Sequence, residues 1–150
     1  WIFRQEASLA AQNIILIRDI CSLLGFEKEF RLSSDCPSVQ ERSGRVLELL
    51  KWCEADCYYC ARGSFGYMRD DGLFPVEGIK VLFQDFKQKE YAQVGSPGLF
   101  IPFLSVIDAL MNIGPEKTSQ LIKNGTERWL TWGDMLESNR QEDSGDPHEY

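Results

Sequence analysis

The sequence predicts an α/β fold: a three-layer unit with a small parallel sheet flanked by helices, followed by C-terminal helices. A helical pattern of apolar residues opens the chain at 8–24, and short apolar runs stand at 57–61 and 79–83. The order strand, helix, strand, short connection, strand builds parallel sheets through right-handed crossovers. We therefore expect one sheet with strands near 26–32, 57–61 and 79–84.

The first third of the chain is expected to hold a helix, a strand and a second helix. Apolar residues recur at helical spacing over 8–24, and Gly25 is a typical C-terminal stop. Residues 26–32 alternate apolar and charged side chains, which is typical of a short strand. Pro37 marks the turn that precedes a second helical pattern over 39–52.

The middle of the chain is expected to hold the other two strands. Residues 57–61 form a compact apolar run, and the glycine-bearing segment 62–66 after it indicates a loop. Residues 67–74 are compatible with a single helical turn. Residues 79–83 form the next apolar strand, which ends at residues 84–86.

The last third is expected to be helical and then disordered. Ser105 is a preferred N-cap before an apolar helical pattern, Gly114 ends that helix, and Pro115 opens the next one. The chain becomes polar and acidic toward its end. We therefore expect one α/β domain over 1–137 and a disordered acidic tail over 138–150.

Composition indicates a globular protein and argues against nucleic-acid binding. Hydrophobic residues make up 43% of the chain and charged residues 26%, with a net charge of −7. Nucleic-acid binders carry a basic stripe, whereas the Lys and Arg residues here are scattered. No signal peptide or membrane-spanning run precedes the first helical pattern, and five cysteines without a secreted-scaffold spacing favour reduced thiols. We expect a cytoplasmic protein that does not insert into membranes.

Three cysteines have the spacing that radical S-adenosylmethionine enzymes use to hold an iron–sulfur cluster. Cys53, Cys57 and Cys60 form C-x3-C-x2-C. Their context argues against a cluster, because Cys53 ends a predicted helix and positions 57 and 60 of a strand point to opposite faces. A zinc site needs a fourth ligand, and the single histidine, His148, lies in the predicted tail. We expect free cysteines and no bound metal.

Polar residues follow two of the predicted strands at their carboxyl ends, where ligands of open α/β sheets bind. Arg62 and Gly63 come directly after the strand at 57–61, and Gln84 and Asp85 end the next strand. Asp85 is placed to orient a ligand or to act as a base. The plain alternative is a turn residue that caps a loop.

A second group of polar residues lies on one stripe of the helix that Ser105 caps. Asp108 and Asn112 are four residues apart and therefore share a face, which either points into a cleft or is the solvated side of an amphipathic helix. The predicted site has Asp85 and Asp108 as catalytic residues and Arg62, Gly63, Gln84, Ser105 and Asn112 as ligand-binding residues.

Five segments, taken in order, carry a resemblance to a known family. They are I-C-S-L-L-G (20–25), R-L-S-S (31–34), E-R-S-G-R-V-L-E-L-L (41–50), Q-D-F (84–86) and F-I-P-F-L-S-V-I-D-A-L-M-N-I-G-P-E (100–116). In these segments the chain is similar to WbqC-like proteins, which are associated with bacterial surface-polysaccharide and O-antigen biosynthesis.

The resemblance implies part of an enzyme that modifies nucleotide-activated sugars, including amino sugars, in lipopolysaccharide biosynthesis. It implies a transferase reaction and a small nucleotide-sugar substrate, specifies no cofactor, and leaves homo-oligomerisation open. It also implies that the chain is the C-terminal portion of a longer protein. Two other hypotheses stand beside it, namely a non-catalytic α/β domain that binds a substrate or a partner and an iron–sulfur radical enzyme.

Overall fold

The computed structural model describes residues 8–95 and 98–144, with the side chains of 141–144 left out. Helices flank a small sheet, so the predicted α/β class is confirmed. The chain forms two compact units, the first from residues 1–30 and 88–125 and the second from residues 31–87 and 126–150. The single domain expected over 1–137 stays a prediction, because compactness does not by itself define an independently folding domain.

The first unit contains the helix that opens the chain and a long kinked helix. α1 spans Leu9–Leu23, and the Ser8 hydroxyl accepts a hydrogen bond from the Ala11 N–H at 3.2 Å. Gly25 follows with φ = 73°, a conformation that terminates helices and that glycine adopts without strain. The predicted first helix and its C-terminal stop at Gly25 are confirmed, and the Ser8 cap is a further finding of the structure.

The kinked helix, α4, spans Val106–Gly125 and is interrupted at one residue. The Ser105 hydroxyl accepts a hydrogen bond from the Ile107 N–H at 3.2 Å, as expected of an N-cap. Gly114 leaves the helical region with φ = 77° and ψ = 169°, and Pro115 then starts the second helical stretch. The predicted stop and restart are confirmed.

The strand expected near residues 26–32 is wrong. Residues 26–32 belong to neither a helix nor a strand. Their aromatic rings instead face cations, with the Lys123 ammonium 5.5 Å from the Phe26 ring and the Arg18 guanidinium 5.6 Å from the Phe30 ring. Alternating polarity alone therefore does not identify a strand here. The backbone N–H and C=O groups of a strand also need hydrogen-bond partners on a neighbouring strand.

Among its described residues, the second unit contains the sheet, three α-helices and a short 3-10 helix. Arg45 supports the 3-10 turn at Ser33–Asp35, because its guanidinium donates to the backbone carbonyl of Ser33. The elements of this unit are α2 (Arg42–Trp52), β1 (Cys57–Ala61), α3 (Ser64–Asp70), β2 (Lys80–Phe86), β3 (Thr126–Leu130) and α5 (Trp132–Ser144).

The sheet is mixed, with strand order β1-β2-β3. β1 and β2 are parallel, with Cys60 opposite Phe83. This confirms the strands predicted at 57–61 and 79–84 and their parallel pairing. β3 pairs antiparallel with β2, with Leu130 opposite Phe83. One sheet face packs on α2, α3 and α5. The hydrophobic core between the sheet and these helices consists of Leu50, Phe65, Met68, Phe74, Val81, Phe83, Leu130 and Met135.

The end of the chain differs from the sequence-based expectation in two places. β3 occupies residues that the sequence does not predict to be a strand, since only Leu130 of its five residues is buried. α5 continues to Ser144, through residues that the sequence assigns to a disordered tail. Met135 anchors this helix in the core, so apolar packing at its start supports the polar remainder. The rest of the predicted tail, 145–150, lies outside the described residues.

A capping box starts α5 and makes stability depend on pH. The Asp134 carboxylate accepts hydrogen bonds from the Thr131 N–H and hydroxyl, both at 2.7 Å, and the Asp134 N–H donates to the Thr131 hydroxyl at 3.3 Å. The backbone hydrogen bond from Thr131, followed by the hydroxyl hydrogen bond, lowers the pKa of Asp134 below its ordinary 3.8.

We expect Asp134→Asn to reduce the free energy of unfolding more at pH 7 than at pH 3. A carboxyl whose pKa is lowered by folding stabilises the protein above its unfolded pKa, and this contribution disappears as pH falls through the folded pKa. Urea unfolding at both pH values measures the difference. Asp70→Asn, which changes an exposed carboxylate on α3, is the control. An equal loss at both pH values would show that the cap is not electrostatic.

Candidate functional site

Two arginines face one carboxylate at the carboxyl ends of β1 and β2. Arg62 follows β1 directly, and its Nη1 lies 3.7 Å from Oδ1 of Asp85 near the end of β2. Arg128 of β3 donates from Nε to Oδ2 of the same carboxylate at 3.3 Å. The Asp85 side chain is 13% exposed, whereas those of Arg62 and Arg128 are 45% and 68% exposed. Asp85 therefore holds two guanidinium groups at the rim of the sheet.

A further ion pair continues this charged rim. Lys87, just after β2, lies with Nζ 2.7 Å from Oε2 of Glu127 on β3. The hydrogen bond with Glu127 raises the pKa of Lys87, because it stabilises the charged ammonium. The rim thus alternates basic and acidic groups across two strands.

Arg62 also lines an open cleft between α3 and α5. The cleft has a volume of about 510 Å³, which is within the range of small-ligand sites. A Cβ added to Gly63 or Gly66 would meet nothing within 4 Å, so backbone there is accessible from the cleft. The lining residues are Arg62, Gly63, Phe65, Gly66, Met135 and Asn139. The cleft therefore offers the Arg62 guanidinium, exposed backbone and the Asn139 amide, next to the apolar side chains of Phe65 and Met135.

Gln84 is near this rim but its side chain lies on the opposite face of the sheet from Asp85. Successive strand residues alternate in direction, and Phe83 and Asp85 share the face that packs on the helices. The Gln84 amide donates to the Thr126 hydroxyl at 2.6 Å across the β2–β3 pair. The structure therefore brings Arg62, Gly63 and Asp85 together and places the Gln84 side chain on the other face.

The remaining predicted site residues belong to the first unit, where they join the segment before α4 to the helix. The Asp108 carboxylate accepts hydrogen bonds from the Tyr91 hydroxyl at 2.7 Å, from the Gln93 amide at 3.3 Å and from the Asn112 amide at 3.1 Å. Asn112 in turn accepts the Val94 N–H at 2.7 Å. Burial, followed by the hydrogen bond to Asp108, raises the pKa of Tyr91, so its hydroxyl remains a donor.

These contacts indicate what Asp108 and Asn112 do in the fold. Each side chain ties a loop residue to the helix, and Ser105 caps the same helix. A carboxylate whose oxygens all accept hydrogen bonds from the protein stabilises the conformation of the loop that donates them. The catalytic role of Asp108 and a single site that joins it to Asp85 stay predictions.

The cysteine trio has the local geometry that the sequence indicates. Cys53 is the C-cap of α2, and Cys57 and Cys60 lie three residues apart in β1 and so point to opposite faces. The Cys60 thiol is 3.7 Å from the Leu82 carbonyl, and burial raises its pKa to about 11, so it is protonated at neutral pH. A hydrogen bond with Cys57 raises the pKa of Tyr59.

The sequence interpretation does not identify two residues of this region, Arg128 and Asn139. Arg128 lies on β3, and because that strand was not predicted its side chain had no assigned neighbour. Asn139 lies on α5, in a segment that the sequence assigns to the tail. The alternation in T-E-R-W-L (126–130) is the signal that identifies β3.

The described residues contain no metal-binding cluster and no helix that could cross a membrane. Within 8–95 and 98–144, no group of three or more His, Cys, Asp or Glu residues is arranged to hold a metal ion. Across the same part of the chain, every helix is too short or too polar to cross a membrane. The absence of bound metal and the cytoplasmic location stay predictions.

Comparison with known proteins identifies relatives of the chain. The sequence profile of the WbqC-like protein family matches residues 1–120, a range that ends within α4 and leaves β3 and α5 outside. An uncharacterized protein of Mycobacterium tuberculosis is 27% identical over 122 residues, which are 81% of this chain and 52% of that protein. The chain thus spans about half the length of this relative. No solved structure matches the chain.

Proposed function

The chain belongs to the WbqC-like protein family, and we propose that it binds a nucleotide-activated sugar as part of an enzyme that modifies such sugars. The proposed site is the cleft at the carboxyl ends of β1 and β2, bordered by Arg62, Gly63 and Asp85. The proposed setting is lipopolysaccharide and O-antigen biosynthesis, with group transfer to the sugar as the reaction. The activity of a whole protein of the relative's length is part of the same proposal.

The proposal rests on the observation that Arg62 contacts the charged rim and also lines the cleft. Its guanidinium pairs with Asp85 at 3.7 Å and also lines the cleft of about 510 Å³. Guanidinium groups bind phosphate oxygens through two parallel hydrogen bonds, and the diphosphate is the feature that all nucleotide-activated sugars share. The accessible backbone at Gly63 and Gly66 allows a phosphate to approach closely.

Asp85 is a positioning residue in this proposal. Its carboxylate is largely covered and lies between two guanidinium groups, so it orients Arg62 toward the cleft instead of contacting the sugar. Asn139 on the other wall supplies an amide that can both donate to and accept from sugar hydroxyls. This arrangement supports binding and orientation of the substrate by the second unit.

We expect Arg62→Gln to weaken nucleotide-sugar binding by about 10- to 150-fold, the effect of losing a hydrogen bond to a charged group. Asp85→Asn is expected to weaken it by a smaller factor, because Arg62 loses the carboxylate that orients it. Isothermal titration of the chain with a panel of uridine, guanosine and thymidine diphosphate sugars measures the dissociation constants. Arg69→Gln is the matched control, because its side chain is 47% exposed and is paired with Asp70 at 3.0 Å.

Circular dichroism of each variant establishes that the fold is retained. The proposal fails if no member of the panel binds the unmodified chain, or if Arg62→Gln binds as tightly as Arg69→Gln. Binding that is lost in both arginine variants alike would indicate non-specific attraction of anions.

A further inference from the structure

The sheet face opposite the helices carries an exposed aromatic pair. We call it the outer face and define it by Tyr59, Ala61, Leu82, Gln84 and Trp129. Strand alternation and register place these residues together, since Tyr59 is opposite Leu82, Ala61 is opposite Gln84, and Gln84 is opposite Trp129. Their neighbours in the strands, including Phe83 and Leu130, form the core on the other face.

The two aromatic rings of the outer face meet above the central strand. The ring centroids of Tyr59 and Trp129 are 4.8 Å apart with an interplanar angle of 74°. Leu82 beneath them is only 8% exposed, whereas Tyr59 and Trp129 are 58% and 41% exposed. Both rings of the aromatic pair therefore present surface to solvent.

An amide and a small side chain lie next to these rings. The Gln84 amide is fixed by its 2.6 Å hydrogen bond to the Thr126 hydroxyl, which leaves its carbonyl oxygen as an acceptor. Ala61, opposite Gln84 on β1, is exposed, and its small side chain leaves open space beside Tyr59 and Gln84. A flat ring that stacks on Tyr59 or Trp129 would bring its polar edge to this amide.

The geometry points to a nucleobase as the occupant: we propose that the outer face stacks the base of the nucleotide-activated sugar, an inference that rests on the proposed function. Aromatic side chains with accessible ring faces are the usual platform for bases, and a fixed amide reads a base edge by hydrogen bonding. Ala61 directly precedes Arg62, and Gln84 directly precedes Asp85, so the outer face adjoins the charged rim around the ends of the same two strands.

Charge selects a mononucleotide over a nucleic-acid strand. The chain carries a net charge of −7, and the rim beside the outer face alternates basic and acidic groups. A nucleic-acid polymer needs a continuous basic surface to compensate its phosphates, whereas a single diphosphate needs only one or two guanidinium groups. The outer face and the rim together match the base and the diphosphate of one small molecule.

The test measures binding of nucleoside diphosphate sugars and of glucose 1-phosphate, which has no base, to the chain. The variants are Tyr59→Leu and Trp129→Leu, which keep an apolar side chain but remove the aromatic ring. Each is expected to weaken nucleotide-sugar binding by about 5- to 150-fold, the effect of losing one stacked base, and to leave binding of glucose 1-phosphate unchanged. Phe103→Leu, at an exposed aromatic residue of the first unit, is the control.

Tryptophan fluorescence supplies a second readout that does not depend on affinity alone. Nucleotide sugar is expected to quench the emission of the unmodified chain and of Trp52→Phe, but to lose most of that quenching in Trp129→Phe. Retained quenching in Trp129→Phe would overturn the inference.

The binding results separate this inference from the proposed function. If Arg62→Gln loses binding while Tyr59→Leu and Trp129→Leu do not, the base-stacking inference is wrong and the proposed function stands. If glucose 1-phosphate is lost together with the nucleotide sugars, the outer face contacts the sugar instead of the base. If only a single-stranded oligonucleotide binds, or if nothing in the panel binds, both proposals are wrong.

Discussion

Replacing Phe83 with alanine is expected to lower the free energy of unfolding by about 3–5 kcal/mol. Phe83 lies on the central strand and is 0% exposed. Its ring centroid lies 5.6 Å from that of Phe65 on α3 and 5.9 Å from that of Trp132 on α5. Removing the ring takes away apolar burial and leaves a cavity that rigid neighbours on both helices can fill only in part. Since domains are stable by about 5–15 kcal/mol, this is a large fraction of the total.

Urea unfolding followed by circular dichroism measures this loss, provided that the dependence on denaturant is unchanged. Phe86→Ala is the control in the same strand, where the side chain is 47% exposed and the expected loss is about 1 kcal/mol. Equal losses in Phe83→Ala and Phe86→Ala would contradict a core centred on Phe83.

Replacing Gly114 with alanine is expected to destabilise the protein by about 1–3 kcal/mol. Gly114 has φ = 77° and ψ = 169°, a region that only glycine adopts without strain. A Cβ built at this position meets nothing within 4 Å, so the cost comes from the backbone and not from a collision. The Gly114 carbonyl also accepts the Thr118 hydroxyl at 2.7 Å, which links the kink to the helical stretch after it.

Gly66→Ala is the matched control, with an expected effect of opposite sign. Gly66 lies inside α3, and a Cβ there also meets nothing within 4 Å. Alanine favours the helix and reduces the freedom of the unfolded chain, so this variant should gain about 0.4–1 kcal/mol. Thermal or urea unfolding of both variants gives the comparison. A loss at Gly66 as large as that at Gly114 would mean that backbone conformation is not the cause.

The candidate site could be predicted in part because strand ends are readable from the sequence. The apolar runs at 57–61 and 79–83 located β1 and β2, and parallel pairing then placed Arg62 and Asp85 at one edge. Arg128 could not be placed in this way, because its strand is mostly exposed and its antiparallel pairing depends on a distant segment. The role of Asp108 was equally hidden, since its partners Tyr91 and Gln93 come from an irregular segment.

Features that depend on a few neighbouring residues can be predicted from the sequence. Ser8 and Ser105 cap helices, Gly25 ends one and Gly114 interrupts another, because hydrogen-bonding capacity and the absence of a Cβ act locally. Periodic apolar residues likewise determined α1 and the cores of β1 and β2, since burial of one face follows directly from the spacing.

Which extended segments form strands depends on contacts between distant parts of the chain. Residues 26–32 alternate in polarity and yet pair with no strand, whereas the mostly exposed segment 126–130 forms the third strand. The physical reason is that a strand is stabilised by hydrogen bonds to a neighbour, and the neighbour can lie far away in the chain. The same long-range pairing brought Arg128 to Asp85 and Trp129 to Tyr59, and with them the charged rim and the outer face.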